Sequence, residues 1–279
     1  LPQLKGVIFD WAGTTVDYGS FAPVQAFLDT FGEVGIEVKP GEVRRFMGMK
    51  KKEHLAALCS LPNIAARWEE RFGEESGAGD LDRLYESFER HLFETLCDFA
   101  RPIGGVVELV ERLRRKGMKI GSTTGYTRGM MEVILPKAAE QGYAPDCLVT
   151  ADEVQGGRPK PWMIWANAEK LDLYPAAQVV KVGDTEADMQ EGVNAGTWVI
   201  GVLEGGNEVG LTEAEAETLG GSELEKIKNA AANRLKSAGA HFVLDRIELL
   251  DPALEEIDSL LEHGICPCCR YGEGRRILG

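Results

Sequence analysis

An unbroken apolar run, Val7-Ile8-Phe9, ends in Asp10 and passes at once into Trp11-Ala12-Gly13-Thr14-Thr15. A strand that is apolar at consecutive positions is covered on both faces, as in a parallel sheet. A carboxylate at its end, followed by a Gly/Thr turn, is delivered to the carboxyl edge of that sheet, where open α/β folds place their ligands. Further short apolar runs follow at 119–123, 147–150, 179–184, 198–202 and 241–244, separated by helical patterns. Strands alternating with helices predict an α/β fold with a parallel sheet covered on both faces. Residues 104–116 illustrate the connecting helices, with apolar positions at helical spacing, a basic last turn and Gly117 as the stop.

The interval 20–101 breaks this rhythm. It holds no convincing strand, and 22–31, 41–46, 51–59, 63–72 and 81–96 all suit helices. Trp68, Phe72, Tyr85, Phe88 and Phe93 recur at helical spacing and are expected in a core. The interval reads as an all-helical cap domain inserted after the first strand, with hinges near 18–21 and 100–105. Such a lid over the sheet edge can exclude water and supply specificity residues. The expected division is a core of 1–19 and 102–260, a cap of 20–101 and a tail of 261–279. Residues 205–221 read as a loop and a short acidic helix whose charge is a solvated face.

With 31 basic and 45 acidic residues, the formal charge is −14. This argues against binding to nucleic acid or an anionic membrane. An anionic substrate therefore requires locally placed cations or a metal. No apolar stretch is long enough to span a bilayer. The opening residues lack the basic flank and apolar core of a signal peptide. Cys59, Cys97 and Cys147 sit in apolar surroundings and are expected as reduced core residues, so a cytoplasmic location is expected.

Four elements gather at predicted strand ends. They are Asp10, then Thr124 closing Ile120-Gly121-Ser122-Thr123-Thr124-Gly125, then Arg158 in Gly157-Arg158-Pro159, then Gly183-Asp184-Thr185-Glu186-Ala187-Asp188. A carboxylate can attack phosphorus and form an acyl phosphate. A hydroxyl such as Thr124 and a cation such as Arg158 can balance charge on the non-bridging oxygens. Asp10 and Asp184 can share a magnesium ion, which prefers oxygen ligands. Each element alone has a bland reading as a turn, a surface ion pair or an acidic helix start. All four in order favour chemistry.

This set resembles the haloacid dehalogenase-like (HAD) superfamily, and the resemblance implies a Rossmannoid core. HAD phosphatases usually carry a second aspartate two residues after the first, as general acid for an alkoxide leaving group. Ala12 stands there in this chain. The resemblance implies that the leaving group does not need that acid, while the Ala12 carbonyl remains available to a metal. The segment Met47-Gly48-Met49-Lys50-Lys51-Lys52-Glu53-His54 supplies an explanation. A lysine amine forms an imine with an aldehyde, and a protonated imine is an electron sink. A phosphonate on the carbon beside that aldehyde could then lose phosphorus as an enamine leaves.

The combination of DWAGTTVDYG, Met-Gly-x-x-Lys-x-x-His, STTGYT, GRPxPW and KVGDTxxD resembles the phosphonatase (phosphonoacetaldehyde hydrolase) family over about residues 4–258. That resemblance implies cleavage of phosphonoacetaldehyde to acetaldehyde and phosphate in 2-aminoethylphosphonate degradation, with Mg2+ as cofactor. It implies Asp10 as nucleophile and Lys51 as imine lysine. It implies Asp184 and the Ala12 carbonyl on the metal beside Asp10, with Asp188 supporting the metal shell. Gly48, Thr124, Gly125 and Arg158 would bind substrate. His54 and Tyr126 would move protons or organise water, and Met47 would lie near the reacting carbon. It also suggests a homodimer through the cap.

Residue type does not choose among Lys50, Lys51 and Lys52. The family spacing, three residues after Gly48 and three before His54, selects Lys51. Repulsion from the neighbouring lysines would lower its pKa. Ser20 sits at the cap entrance, where relatives can have cysteine, so no catalytic role is expected for it. The alternatives are another HAD phosphatase or dehalogenase acting on a small metabolite, or a non-catalytic phosphate-binding module. Dehalogenases also lack the second acid but need no metal, so Asp184 and Asp188 weigh against them. In the tail, His263, Cys266, Cys268 and Cys269 lack paired C-x-x-C spacing, so disorder is expected there over a zinc site.

Overall fold

Strand β1 (Gly6–Phe9) leads into five helices, α1 (Phe21–Glu33), α2 (Pro40–Arg44), α3 (Lys51–Cys59), α4 (Pro62–Phe72) and α5 (Ala78–Thr95). The chain returns through α6 (Val106–Arg115) to β2 (Lys119–Thr124), α7 (Arg128–Glu140), β3 (Cys147–Thr150) and α8 (Trp162–Leu171). Then come β4 (Val179–Gly183), α9 (Glu186–Ala195), β5 (Trp198–Val202), α10 (Glu213–Thr218) and α11 (Gly221–Ala238). Strand β6 (Phe242–Leu244), α12 (Leu250–Glu262) and β7 (Arg276–Leu278) follow. The computed structural model describes residues 3–270 and 276–278.

The strands form one parallel sheet in the order β3-β2-β1-β4-β5-β6-β7. Strand β1 lies between β2 and β4, so the chain's direction across the sheet reverses there. A cleft opens at the carboxyl ends at such a switch point. Asp10 leaves β1 and Asp184 leaves β4 on either side of it. The register sets Phe9 beside Val182, and the Asp10 N–H reaches the Val182 carbonyl at 2.9 Å. The two aspartates are neighbours because of this pairing.

Alternation along the strands separates the two faces. Val7, Phe9, Val180 and Val182 join the large core cluster that also holds Leu109, Leu113, Leu250 and Leu254. Ile8 faces the opposite side, with Ile164 and Ala195. Lys181, between two inward valines, therefore points toward the layer of α8 and α9.

The insert packs α1 along α5, and α3 on both α4 and α5. Its core residues Phe27, Phe31, Leu55, Trp68, Phe88 and Leu92 belong to the same cluster as β1 and α6, so apolar contact runs from insert to sheet. Two chain crossings lie side by side, with Val16 bridging Pro102 and the Asp17 N–H meeting the Arg101 carbonyl. Helix α1 begins with Ser20 in the left-handed region, and its hydroxyl makes no capping bond. Asp17 supplies the cap instead, its carboxylate accepting from the Phe21 N–H at 2.9 Å and the Ala22 N–H at 3.1 Å.

Some expectations of burial fail. Phe72 and Phe93 are 46% and 40% exposed, whereas Trp68 and Phe88 are core. Phe72 is the last residue of α4, where Gly73 turns the chain away, and its ring meets Trp68 and the Arg71 guanidinium at the surface. Cys97 is exposed and Cys147 half-buried; only Cys59 of the three is core, and none forms a disulfide. In the tail, Pro267–Arg270 makes a helical turn and β7 lies parallel to β6. Residues 271–275 and the side chain of Cys269 lie outside the described residues. Among the described residues no helix is long and apolar enough to cross a membrane.

Candidate active site

Asp10, Asp184 and Asp188 meet at the switch point. One carboxylate oxygen from each lies within 4.8 Å of the others, and all three residues are buried. The loop after Asp10 folds back so that the N–H groups of Thr15 and Val16 meet the Trp11 carbonyl. This places the Thr14 hydroxyl 2.6 Å from Asp184 Oδ1, while the Asn207 N–H donates to Oδ2 at 2.8 Å. Burial, followed by the charges of Asp10 and Asp188, pushes the Asp184 carboxyl well above the usual range. Burial also raises Asp10; Arg158 draws it back, and Asp188 adds to the rise. Three crowded, dry carboxylates are a hard-oxygen donor set that suits a divalent cation such as Mg2+ or Ca2+. The residues present fit a metal. Ala12 is half-buried beside them and contributes no acid.

Arg158 is buried directly against this set. Its Nη2 is 2.6 Å from Asp10 Oδ1 and 3.2 Å from Asp188 Oδ1, and its Nε donates to Glu191 Oε2 at 2.9 Å. Burial opposes the charge, but Asp10, Asp188 and Glu191 outweigh it and hold the guanidinium firmly protonated. Asp188 falls below the usual range, because Arg158 and Lys181 overcome the opposing effect of burial. Thr124 is buried at the end of β2, where its hydroxyl oxygen accepts the Tyr126 N–H at 3.1 Å.

The insert closes the other side. Gly48 makes the expected turn, with φ of +85°, and its carbonyl lies 3.5 Å from Arg158 Nη1. Burial separates the three lysines at the start of α3. Lys51 is 4% exposed, with Nζ 5.0 Å from the Tyr126 ring centre and 6.0 Å from that of Phe27. Lys52 is exposed and paired with Asp82, and Lys50 is half-buried. The Lys51 amine is lowered to about 8, mainly by burial; Asp10 opposes this and Arg158 adds to it. The expected cause, repulsion from Lys50 and Lys52, is thus corrected: loss of water around the amine dominates.

His54 is wholly buried one turn further along α3. Its Nε2 lies 2.9 Å from the Val43 carbonyl, which can only accept, so Nε2 carries the proton and Nδ1 a free lone pair. Burial, then the Lys51 charge, lowers its pKa well below the usual value and keeps the ring neutral. Among the described residues Nδ1 has no hydrogen-bond partner. Met47 and Tyr126 are buried beside these groups, and burial, then Asp17 and Asp10, keeps the Tyr126 phenol protonated.

Core and insert also approach closely at Gly125. A Cβ there would lie 2.8 Å from the Met49 carbonyl oxygen and 3.2 Å from that of Gly48. Gly125→Ala should therefore lift the Gly48 turn from Arg158. We expect kcat/KM to fall by about 10- to 100-fold, the scale of a 1 Å misplacement, with far-UV circular dichroism unchanged.

Several contributors escaped the sequence reading. Lys181 and Glu191 are wholly buried under Arg158; a lysine interrupting the apolar run of β4 was a legible signal. Asn207 lies in the interval read as a solvated loop, yet it is buried and holds Asp184 through its N–H. Its side-chain oxygen accepts from Arg44 of α2 at 3.1 Å, which ties the insert to the loop that grips Asp184. Ser20 is buried, as the turn before α1.

A strand-end aspartate facing an arginine and two further aspartates, under a helical insert, defines a class. A haloacid dehalogenase-like hydrolase family model matches residues 7–202, and the chain belongs to that family. A phosphonoacetaldehyde hydrolase of Bacillus cereus (strain G9842) is 47% identical over 256 residues, 92% of this chain and 97% of that protein. A bifunctional phosphonoacetaldehyde hydrolase/aminoethylphosphonate transaminase of Clostridioides difficile (strain 630) is 47% identical over 257 residues, 92% of this chain but 40% of that longer protein. The crystal structure of a phosphonoacetaldehyde hydrolase-like protein from Oleispira antarctica superposes with a TM-score of 0.93 at 37% identity, covering 95% of this chain and 96% of that one. Within the family, the chain stands with the phosphonoacetaldehyde hydrolases.

Proposed function

We propose that the chain hydrolyses the C–P bond of phosphonoacetaldehyde to acetaldehyde and phosphate, within 2-aminoethylphosphonate degradation. One observation carries this reading. A dry lysine with a lowered pKa faces the charge of a strand-end aspartate that has Ala12, not an acid, two residues after it. A phosphatase with this loop would lack its proton donor, whereas an imine removes the need for one.

Lys51, as the free amine, adds to the aldehyde carbon, and water leaves as the imine forms. The lone pair on His54 Nδ1 takes and returns protons, and the Tyr126 hydroxyl orders water around the nitrogen. Met47 packs near the reacting carbon. Asp10 then attacks phosphorus: the P–O bond forms, the C–P bond breaks, and its electron pair moves into the enamine. Thr124 and Arg158 hold the phosphoryl oxygens, with Gly48 and Gly125 shaping the cleft around them. Protonation of the enamine carbon and addition of water free acetaldehyde and Lys51, and water on the aspartyl phosphate frees phosphate and Asp10.

Asp10, Asp184 and the Ala12 carbonyl would hold Mg2+, with Asp188 behind them. When bound, the ion offsets repulsion between the anionic nucleophile and the anionic phosphonate. Added Mg2+ should raise the melting temperature, with stabilisation of about 2.7 kcal/mol at a hundredfold excess over Kd. Asp184→Ala should remove that rise in differential scanning fluorimetry. The proposal includes a homodimer, tested by sedimentation, and a cytoplasmic setting.

The deciding experiment is phosphate release from phosphonoacetaldehyde, with and without Mg2+, alongside borohydride trapping and mass mapping of the adduct. A label on Lys51 supports the reading; turnover with Lys51 unlabelled overturns it.

A further inference from the structure

The sheet buries charge where an apolar chain would be cheaper. Lys181, in the central strand β4, and Glu191, on α9 one turn beyond Asp188, are both wholly inaccessible. Taking each ion out of water costs several kcal/mol, and an apolar pair of similar volume is often as stable. Their contacts converge on one group. Glu191 Oε2 accepts from Arg158 Nε at 2.9 Å and lies 3.2 Å from Lys181 Nζ. The Thr123 hydroxyl donates to the same oxygen at 3.2 Å and accepts from Lys181 at 2.7 Å and Arg158 Nη2 at 2.8 Å. Lys181 also lies 2.9 Å from Asp188 Oδ1.

We propose that Glu191, balanced by Lys181 and keyed by the Thr123 hydroxyl, is the positioning residue that fixes the plane of the Arg158 guanidinium. A guanidinium is planar, so gripping one edge orients the other. Glu191 holds Nε, and the Nη groups are thereby turned toward Asp10 and the Gly48 carbonyl. When a phosphoryl group arrives, Nη2 must share itself between Asp10 and the incoming oxygens. The Nε grip does not have to change, so the arginine receives the new charge without reorganising. Lys181 sits between the two carboxylates, 3.2 Å from Glu191 Oε2 and 2.9 Å from Asp188 Oδ1, and offsets their mutual repulsion.

This inference rests on Arg158 holding the phosphoryl group, and the test separates the two. Orthovanadate binding by calorimetry and steady-state kinetics would be measured for wild type, Glu191→Gln, Arg158→Lys and the double variant, with borohydride labelling of Lys51 as a control. Arg158→Lys should weaken vanadate strongly; if it does not, the role of Arg158 fails whatever Glu191 does. Glu191→Gln should weaken vanadate and lower kcat by about 10- to 100-fold, with Lys51 labelling unchanged. In the Arg158→Lys background, which lacks Nε, the same change should cost less than about twofold. Full additivity, or lost turnover with unchanged vanadate affinity, overturns the proposal. If Glu191→Gln does not fold, the paired change Lys181→Met/Glu191→Leu carries the same cycle with the same expected and contrary results.

Discussion

Lys51→Ala is expected to lower kcat on phosphonoacetaldehyde by about 10^5-fold or more, the scale seen when a covalent catalytic group is removed. Without the imine, C–P cleavage would have to expel a carbanion, and Ala12 supplies no acid to assist it. Vanadate should still bind, because Asp10, Thr124 and Arg158 are untouched. Wild-type kcat/KM should rise with pH and level off above about 8, where the Lys51 amine loses its proton. The same shift governs stability. The folded value of about 8 lies below the ordinary 10.5, so between them the unfolded chain holds a proton that the folded chain does not. Stability from this group therefore rises with pH across that window and is lowest below it. Lys51→Met should accordingly melt higher than wild type at neutral pH and lose that advantage toward pH 10.5.

Asp10→Asn is expected to abolish phosphate release, by about 10^4-fold or more, while leaving Lys51 open to borohydride trapping by substrate. In the proposed mechanism the two half-reactions rest on different segments, Lys51 at the start of α3 and Asp10 at the end of β1, so one can fail without the other. Asp10 also favours the protonated form of Lys51. Its removal should shift the pH dependence of trapping to lower pH. A trap that disappears in Asp10→Asn would show that imine formation needs the carboxylate, contrary to this account. A trap with unmoved pH dependence would show that the two groups do not feel each other across the cleft.

The sheet was legible because β1 and β5 are apolar without alternation and the other strands are short runs set between helical patterns. The runs at 119–123 and 198–202 differ from β2 and β5 by at most one residue. The insert was legible for the opposite reason, since 22–31 and 63–72 carry a one-sided stripe that only a helix can bury. Arg158 and Asp184 could be found because each follows or faces a strand end. The same reading failed where burial depends on what another segment does. Phe72, Phe93 and Cys97 lie at helix margins, and local pattern cannot say whether a neighbour covers them. Asn207 carried no periodic signal, and its hold on Asp184 comes from a backbone N–H that any residue except proline would offer.

Local order along the chain determined that an aspartate would stand at the carboxyl edge of a parallel sheet, without the usual second acid and under a helical insert. Apolar continuity, glycine turns and residue type are local properties, so sequence suffices for them. Residue type left three adjacent lysines equal and spacing pointed to Lys51; tertiary structure decided that this one is dry, and that dehydration, more than neighbouring charge, lowers its pKa. It also decided that Lys181 and Glu191 meet beneath Arg158. Those outcomes depend on water being excluded by residues far apart in the chain, and exclusion of water is a property of packing, not of spacing.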